Sequence, residues 1–373
     1  MISDDFRYRP DGLPTELLAA DERSLLRELG GPTLVRIPGG QDQAPRALSV
    51  LLHGDEPTGF QALLKVLRRS PVLPYDLYVF FGNVRAALAS PGYAMRYLDD
   101  QEDLNRVWQA GPDPGPLREA ALTAYDHLEA AGVSSLVDLH NTSGDTPYYA
   151  IMTQVSPGTI NLASRFSSRL VHWELCQGAL VERISTRCPA IAVECGLAGR
   201  RASFDFALDG VRRYLTPEPL VTDRVSADHD LLGGLHRVTV HPGARFRFGG
   251  ELTDDLDLVI PTDADRSNFV EVAAGHVLGR VRTDGPLPVA VQAPDGRDAT
   301  DEMLTVQDGD LRLRRAAIPV MMTRTVVAVR KDCLVYLAVD PTRPPAASNA
   351  AMSIPSNRSS SVRSNGTSER STT

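Results

Sequence analysis

Three apolar runs, each closing on a residue that binds cations or moves protons, constrain this chain more than anything else in it. They are RALSVLLH, ending at His53, SSLVDLH, ending at His140, and PAIAVE, ending at Glu194. Runs this rich in Val, Leu, Ile and Ala read as strands buried on both faces, a pattern of sheets covered by helices on either side. The segments between them supply the helices. TGFQALLKVLRR places Phe60, Leu63, Leu64 and Leu67 at helical spacing behind Pro57, which suits a first helical position, and PLREAALTAYDHLEAAG runs to a closing Gly132. Further helices are expected over 15–30, near 157–168 and over 202–215, with another strand at 76–83. Residues 1–220 therefore read as an α/β layered domain with a mixed, mostly parallel sheet, in which ligands gather at the carboxyl ends of strands. His53, His140 and Glu194 all fall there.

From about Val221 the texture changes to short apolar runs such as HRVTV, LPVAV and CLVYLAV divided by Gly, Pro and Asp, and 221–340 reads as a smaller, mostly β domain packing on the first as a cap. Residues 341–373 are rich in Ser, Asn, Thr and Arg with few apolar side chains, the composition of a disordered tail.

The composition excludes several classes. A net charge of −8 on 373 residues, with 23% charged and 42% hydrophobic residues, is that of an ordinary globular enzyme and shows no basic face for nucleic acid. The opening MISDDFRYRPDG does not resemble a secretory signal, and no run approaches the roughly 18 apolar residues of a membrane span. Cys176, Cys188, Cys195 and Cys333 form no C-x-x-C pair, so neither a cysteine zinc ribbon nor a disulfide framework is expected. A reducing cytoplasm is the expected home. Self-association into a homo-oligomer is left open.

The chemistry sits in four motifs. HGDEPTG holds His53 and Glu56 three residues apart, and DLHNTSG adds His140 after a second buried strand. Two imidazoles and a carboxylate suit a borderline cation such as Zn²⁺, one per subunit, with a fourth position left for water. Asp138 lies two positions from His140 on a strand, shares its face, and is placed to orient that ligand. Glu194 would carry a charge into a buried strand end, at a cost of several kcal/mol unless it is paired or functional, which makes it the candidate base. Between the ligand strands, RYLDDQEDLNRVW carries Arg96, Asn105 and Arg106 among Asp99, Asp100, Glu102 and Asp103. The arginines read either as oxyanion and carboxylate partners or as members of surface ion pairs with those four acids.

Taken jointly, HGDEPTG, the GN…RYLDDQEDLNRVW segment, DLHNTSG and VECG resemble the succinylglutamate desuccinylase and aspartoacylase family, the amidohydrolase branch of the zinc carboxypeptidase-like α/β/α fold. The likeness spans roughly residues 45–215 in motif order and spacing. It implies that His53, Glu56 and His140 bind zinc, that Glu194 activates water and then protonates the leaving amine, and that Arg96 polarises the scissile carbonyl. It further implies that Asn105 and Arg106 hold a substrate carboxylate. Arg187 or Arg183 would serve an acyl pocket, with Tyr148, Tyr149, Arg200 and Arg201 as further pocket residues. Arg96 and Arg106 stand ten apart where the family pattern has eight, and ECGLAGRRASFDFA departs from what either named activity would place after the base. The activity so implied is cleavage of the amide bond of a small N-acyl amino acid or related acylated amine, giving a carboxylic acid and an amine. The rivals are a zinc metallocarboxypeptidase acting on short peptides and a non-catalytic protein that binds an acylated metabolite.

Overall fold

The computed structural model describes residues 2–111, 115–218 and 229–342. The expected tail therefore lies, from residue 343 onward, outside the described residues.

The apolar runs form the middle of a 12-stranded sheet. Leu77–Phe81, Arg46–Val50, Leu136–Thr142 and Ala190–Leu197 lie side by side in that order, all parallel. Antiparallel neighbours flank them, Thr33–Ile37 on one side and Tyr149–Met152 on the other. The α/β architecture with a large, mostly parallel sheet is thus the one expected. Because side chains alternate along a strand, parity sorts the residues between two cores. Leu48, Val50, Val137, Leu139, Ile191 and Val193 face one apolar cluster, together with the helices Glu22–Leu29, Thr58–Leu67 and Arg201–Tyr214. Ala47, Leu136, Ala190 and Ala192 face the other, with Pro116–Ala131 and Leu180–Ile184. Asp138, His140 and Glu194 belong by parity to this second face.

The sheet does not stop at residue 221. Asp230–Val240 pairs parallel with Arg169–His172 and antiparallel with Val335–Thr342, so C-terminal strands extend the same sheet. Five short strands, Phe246–Phe248, Leu258–Ile260, Val277–Val281, Leu304–Gln307 and Asp310–Leu313, form a separate sheet. The expected helix over 15–30 is broken into Thr15–Ala19 and Glu22–Leu29, because Asp21 caps the second helix by accepting from the Ser24 N–H. The expected helix near 157–168 is shorter, Pro157–Ala163. No helix among the described residues is long and apolar enough to cross a membrane.

Two close approaches set the site's backbone. A Cβ on Gly59 would stand 2.4 Å from Leu139 Cβ, so the helix that follows Glu56 presses directly on the strand that ends in His140. A Cβ on Gly54 would stand 2.5 Å from the Ala87 backbone nitrogen. Just before His53, Leu51 takes a left-handed φ of 58° although it is not glycine, a strain that turns the chain out of its strand towards the site. Gly59→Ala is expected to lower the free energy of unfolding by about 1–3 kcal/mol through overpacking against Leu139, measured by urea denaturation.

Candidate active site

The parallel strands deliver His53, His140 and Glu194 to the same edge. Glu194 is the register partner of His140 on the neighbouring strand, and a bulge follows immediately between His140 and Thr142. Glu56 reaches back from the turn after His53, its N–H bonded to the His53 carbonyl. Its two carboxylate oxygens then divide between the two rings: Oε1 lies 2.8 Å from His53 Nδ1 and Oε2 lies 2.7 Å from His140 Nδ1. Candidate ligand atoms of His53, Glu56 and His140 all lie within 4.8 Å of one another, and all three residues are buried.

The far ring nitrogens show what this arrangement fits. His53 Nε2 is 3.0 Å from Asp103 Oδ1, and His140 Nε2 is 2.7 Å from Asp138 Oδ2. An imidazole that gives its Nε2 proton to a carboxylate keeps its Nδ1 lone pair for a cation and gains basicity. Both rings therefore present Nδ1 to one carboxylate, a donor set of two imidazoles and one oxygen anion that fits a divalent ion. The charges agree. Burial alone would lower both imidazoles, yet Glu56 and Asp103 carry His53 above its ordinary value, and Asp138 with Glu56 carries His140 well above it. Burial would raise Glu56, but the two imidazoles hold it far below the carboxylate range.

Asn141 locks the parts together. Its Oδ1 accepts the Thr58 N–H at the start of the helix, its Nδ2 donates to the Gly196 carbonyl at 2.6 Å, and its own N–H donates to Glu56 Oε2 at 3.1 Å. One buried amide thus joins three chain segments at the Glu56 carboxylate, a candidate metal ligand.

Glu194 is the acid at this edge that burial shifts furthest upward, while Asp55, which also lines the cavity, is raised by burial as well. Glu194 Oε2 is buried without a hydrogen-bond partner, and burial pushes the carboxyl up to about 8, with the His140 imidazole opposing and Glu56 adding to the shift. It borders a cavity of about 430 Å³ that His53, Glu56, His140, Arg96, Asn105 and Arg106 also line. Arg96 reaches Asp103 at 3.1 Å through Nε and Glu56 at 3.4 Å through Nη1. Of the four acids near it in sequence, Asp103 is its partner in the fold. Arg106 pairs instead with Asp332 at 3.1 Å, a residue from the far end of the chain. Asn105 accepts the Leu180 N–H through Oδ1, so part of its amide is spent holding the helix Leu180–Ile184.

Five of the expected pocket residues, Arg187, Tyr148, Arg183, Arg200 and Arg201, do not line the cavity. Arg187 is exposed and bonded to Glu129 and Tyr125, because it follows the helix Leu180–Ile184 on the side away from the cavity. Tyr148 stacks on Phe206 with ring centroids 4.2 Å apart, against the opposite helix layer. Its neighbour Tyr149 has the right parity, sharing the face of Ile151, which lines the cavity. Arg183 lies over the Tyr125 ring, while Arg200 and Arg201 make exposed pairs with Asp145 and Asp205. Asn141, Asp332 and Tyr336 were not expected at the site from the sequence, and Asp103 was named only among four acids that could pair with the arginines. For Asn141 a signal existed, since it directly follows the candidate ligand His140 on the same strand. Cys333 also lines the cavity, and burial pushes its thiol up to about 12, so it offers no thiolate nucleophile.

No protein-family model matches the chain, and no curated protein matches it in sequence. Solved structures do share its fold. A succinylglutamate desuccinylase/aspartoacylase from Rhodobacter sphaeroides superposes with a TM-score of 0.52 at 15% identity, covering 82% of this chain and 87% of that one. The succinylglutamate desuccinylase from Vibrio parahaemolyticus gives 0.52 at 14% identity, covering 82% and 85%. The molecule therefore has the fold of the desuccinylase/aspartoacylase structures.

Asp103→Asn and Asp138→Asn are each expected to weaken metal binding by about 10- to 100-fold while leaving one ion per chain at saturation, measured by chelator competition and elemental analysis. His140→Ala should lose the ion altogether. Because both imidazoles hold protons above their ordinary range and a cation must displace them, metal binding should release protons and tighten as pH rises. Titration calorimetry in buffers of different ionisation enthalpy reads that release.

Proposed function

We propose that this chain is a zinc-dependent hydrolase that cleaves the amide bond of small acylated amines, releasing a carboxylic acid and an amine. The observation that carries this reading is the pairing of the His53–Glu56–His140 donor set with an unpartnered, buried Glu194 carboxyl on the adjacent strand. A zinc ion held by those three residues would supply Lewis acidity towards a carbonyl and make water a nucleophile near neutral pH.

The chain's own residues do the rest. Glu194 takes a proton from the attacking water as its oxygen bonds the amide carbon, and returns it to nitrogen as the C–N bond breaks. A carboxyl group poised near neutrality is suited to both transfers. Arg96 stays charged because Asp103 and Asp332 outweigh its burial, and its guanidinium borders the cavity beside Glu56, where it can donate to the developing oxyanion. Asp103 serves twice, orienting both His53 and Arg96.

The rival readings have less support. A carboxypeptidase would have to hold the peptide's terminal carboxylate on Arg106 in competition with Asp332 at 3.1 Å. A binding protein has no evident use for Glu194, whose burial without a partner costs stability and favours a functional role.

Glu194→Gln is expected to keep its metal and lose about 10²- to 10⁴-fold in kcat on any acylated amine the wild type hydrolyses, followed by release of the amine. Wild-type turnover by that variant would remove Glu194 as the base.

A further inference from the structure

Asp138 gives only one of its oxygens to His140. Oδ2 lies 2.7 Å from His140 Nε2, while Oδ1 is buried with no hydrogen-bond partner within the protein. A carboxylate oxygen in that condition costs stability unless something donates to it. Two other buried polar atoms share the condition. Ser49 Oγ and Trp108 Nε1 have no partner within the protein either, and Ser49, Trp108 and Asp138 are each 0% exposed.

The sheet brings these three residues together. Phe80, Ser49, Asp138 and Ala192 are consecutive register partners across four parallel strands, so their side chains share one face. Neighbouring strands lie about 4.8 Å apart, which makes the Ser49 hydroxyl and the Asp138 carboxylate neighbours across a single strand gap. Ser49 is the one hydroxyl in the strand Arg46–Val50, whose other members apart from Arg46 are apolar. Trp108 stands over the same row, its ring edge-on to Phe80 with centroids 5.4 Å apart. The segment that carries Trp108 also reaches the candidate ligand, since Asn105 Nδ2 lies 3.5 Å from His140 Nε2.

We propose that Ser49 and Trp108 are positioning residues for the metal site, and that they act through one internal water shared with Asp138 Oδ1. None of the three atoms is within hydrogen-bond reach of another, so the link needs a bridging group. A water has the right valence: it accepts the Trp108 N–H, donates one proton to Asp138 Oδ1 and bonds the Ser49 hydroxyl with its remaining capacity. Held on both oxygens, Asp138 fixes the His140 ring with Nε2 towards itself and Nδ1 towards Glu56. The inference rests on the reading of His53, Glu56 and His140 as metal ligands. It extends the support of one of them to residues on two further segments of the chain.

The test measures zinc affinity of the full chain by chelator competition at fixed pH, combining Ser49→Ala with Asp138→Ala in a double-mutant cycle. Ser49→Ala is expected to weaken zinc binding by about 3- to 10-fold, with one ion per chain still bound at saturation. In the Asp138→Ala background the same change should cost less than about 1.5-fold, because the group it serves is gone. Trp108→Phe, which keeps a ring and deletes the N–H, should follow the same pattern. A loss of equal size in both backgrounds, or no loss in the wild-type background, overturns the proposal, since a side chain that merely packs does not depend on Asp138. A crystal structure that resolves internal water gives a readout free of variants and decides should any of them not fold. One water within about 3.2 Å of Ser49 Oγ, Trp108 Nε1 and Asp138 Oδ1 upholds the bridge, and its absence overturns it. Either overturning result in a wild type that binds zinc leaves the ligand reading standing. Should the wild type bind no zinc, the ligand reading fails, and the crystal structure alone decides whether Ser49 and Trp108 hold Asp138.

Discussion

One carboxylate organises this molecule's chemistry. Glu56 receives the Nδ1 atoms of both His53 and His140, the Asn141 N–H and an Arg96 nitrogen, all at one buried point. Four polar groups converging on two oxygens in an apolar interior need charge balance. The carboxylates of Asp103 and Asp138 provide it from the outer side of each ring. The result is a site whose geometry is held by hydrogen bonds on both sides of each imidazole, and whose two inward nitrogens are aimed before any ion arrives. Such preparation reduces the ordering that metal binding would otherwise have to impose.

The same economy governs the arginines. Three guanidinium groups, Arg96, Arg106 and Arg237, gather on Asp332 near the sheet's edge, and their mutual repulsion is tolerable only because that carboxylate sits among them. Burial would lower each of them, yet Asp332 and its neighbours keep all three charged. Asp332 thereby borders the candidate site from the C-terminal part of the chain. The polar end of the cavity is thus held in place by ion pairs, beside an apolar wall and the unpartnered Glu194.

Much of this was legible in the sequence because it is local. Strand alternation alone puts Asp138 with His140 and Ala192 with Glu194, and the structure keeps both pairs on one face. The short interval from His53 to Glu56 spans a single turn, so both must arrive together. The errors are equally instructive. Tyr148 and Tyr149 were both expected at the pocket, but adjacent residues of a strand point to opposite faces of the sheet, so the two could not share one wall. The choice among Asp99, Asp100, Glu102 and Asp103 could not be read either, because that segment has no repeating pattern to say which acid turns inward.

By itself, then, the sequence determined the parallel strands, the helices that cover them and the edge at which two histidines and a glutamate emerge, since hydrophobic periodicity acts over a few residues and needs no distant partner. Only the tertiary structure decided which charges meet. Asp332 lies 226 residues from Arg106, and nothing between them encodes the contact except the completed sheet, which Val335–Thr342 joins by pairing with Asp230–Val240. Electrostatic pairing depends on final positions in space, so the occupant of a guanidinium becomes known only when the chain has closed.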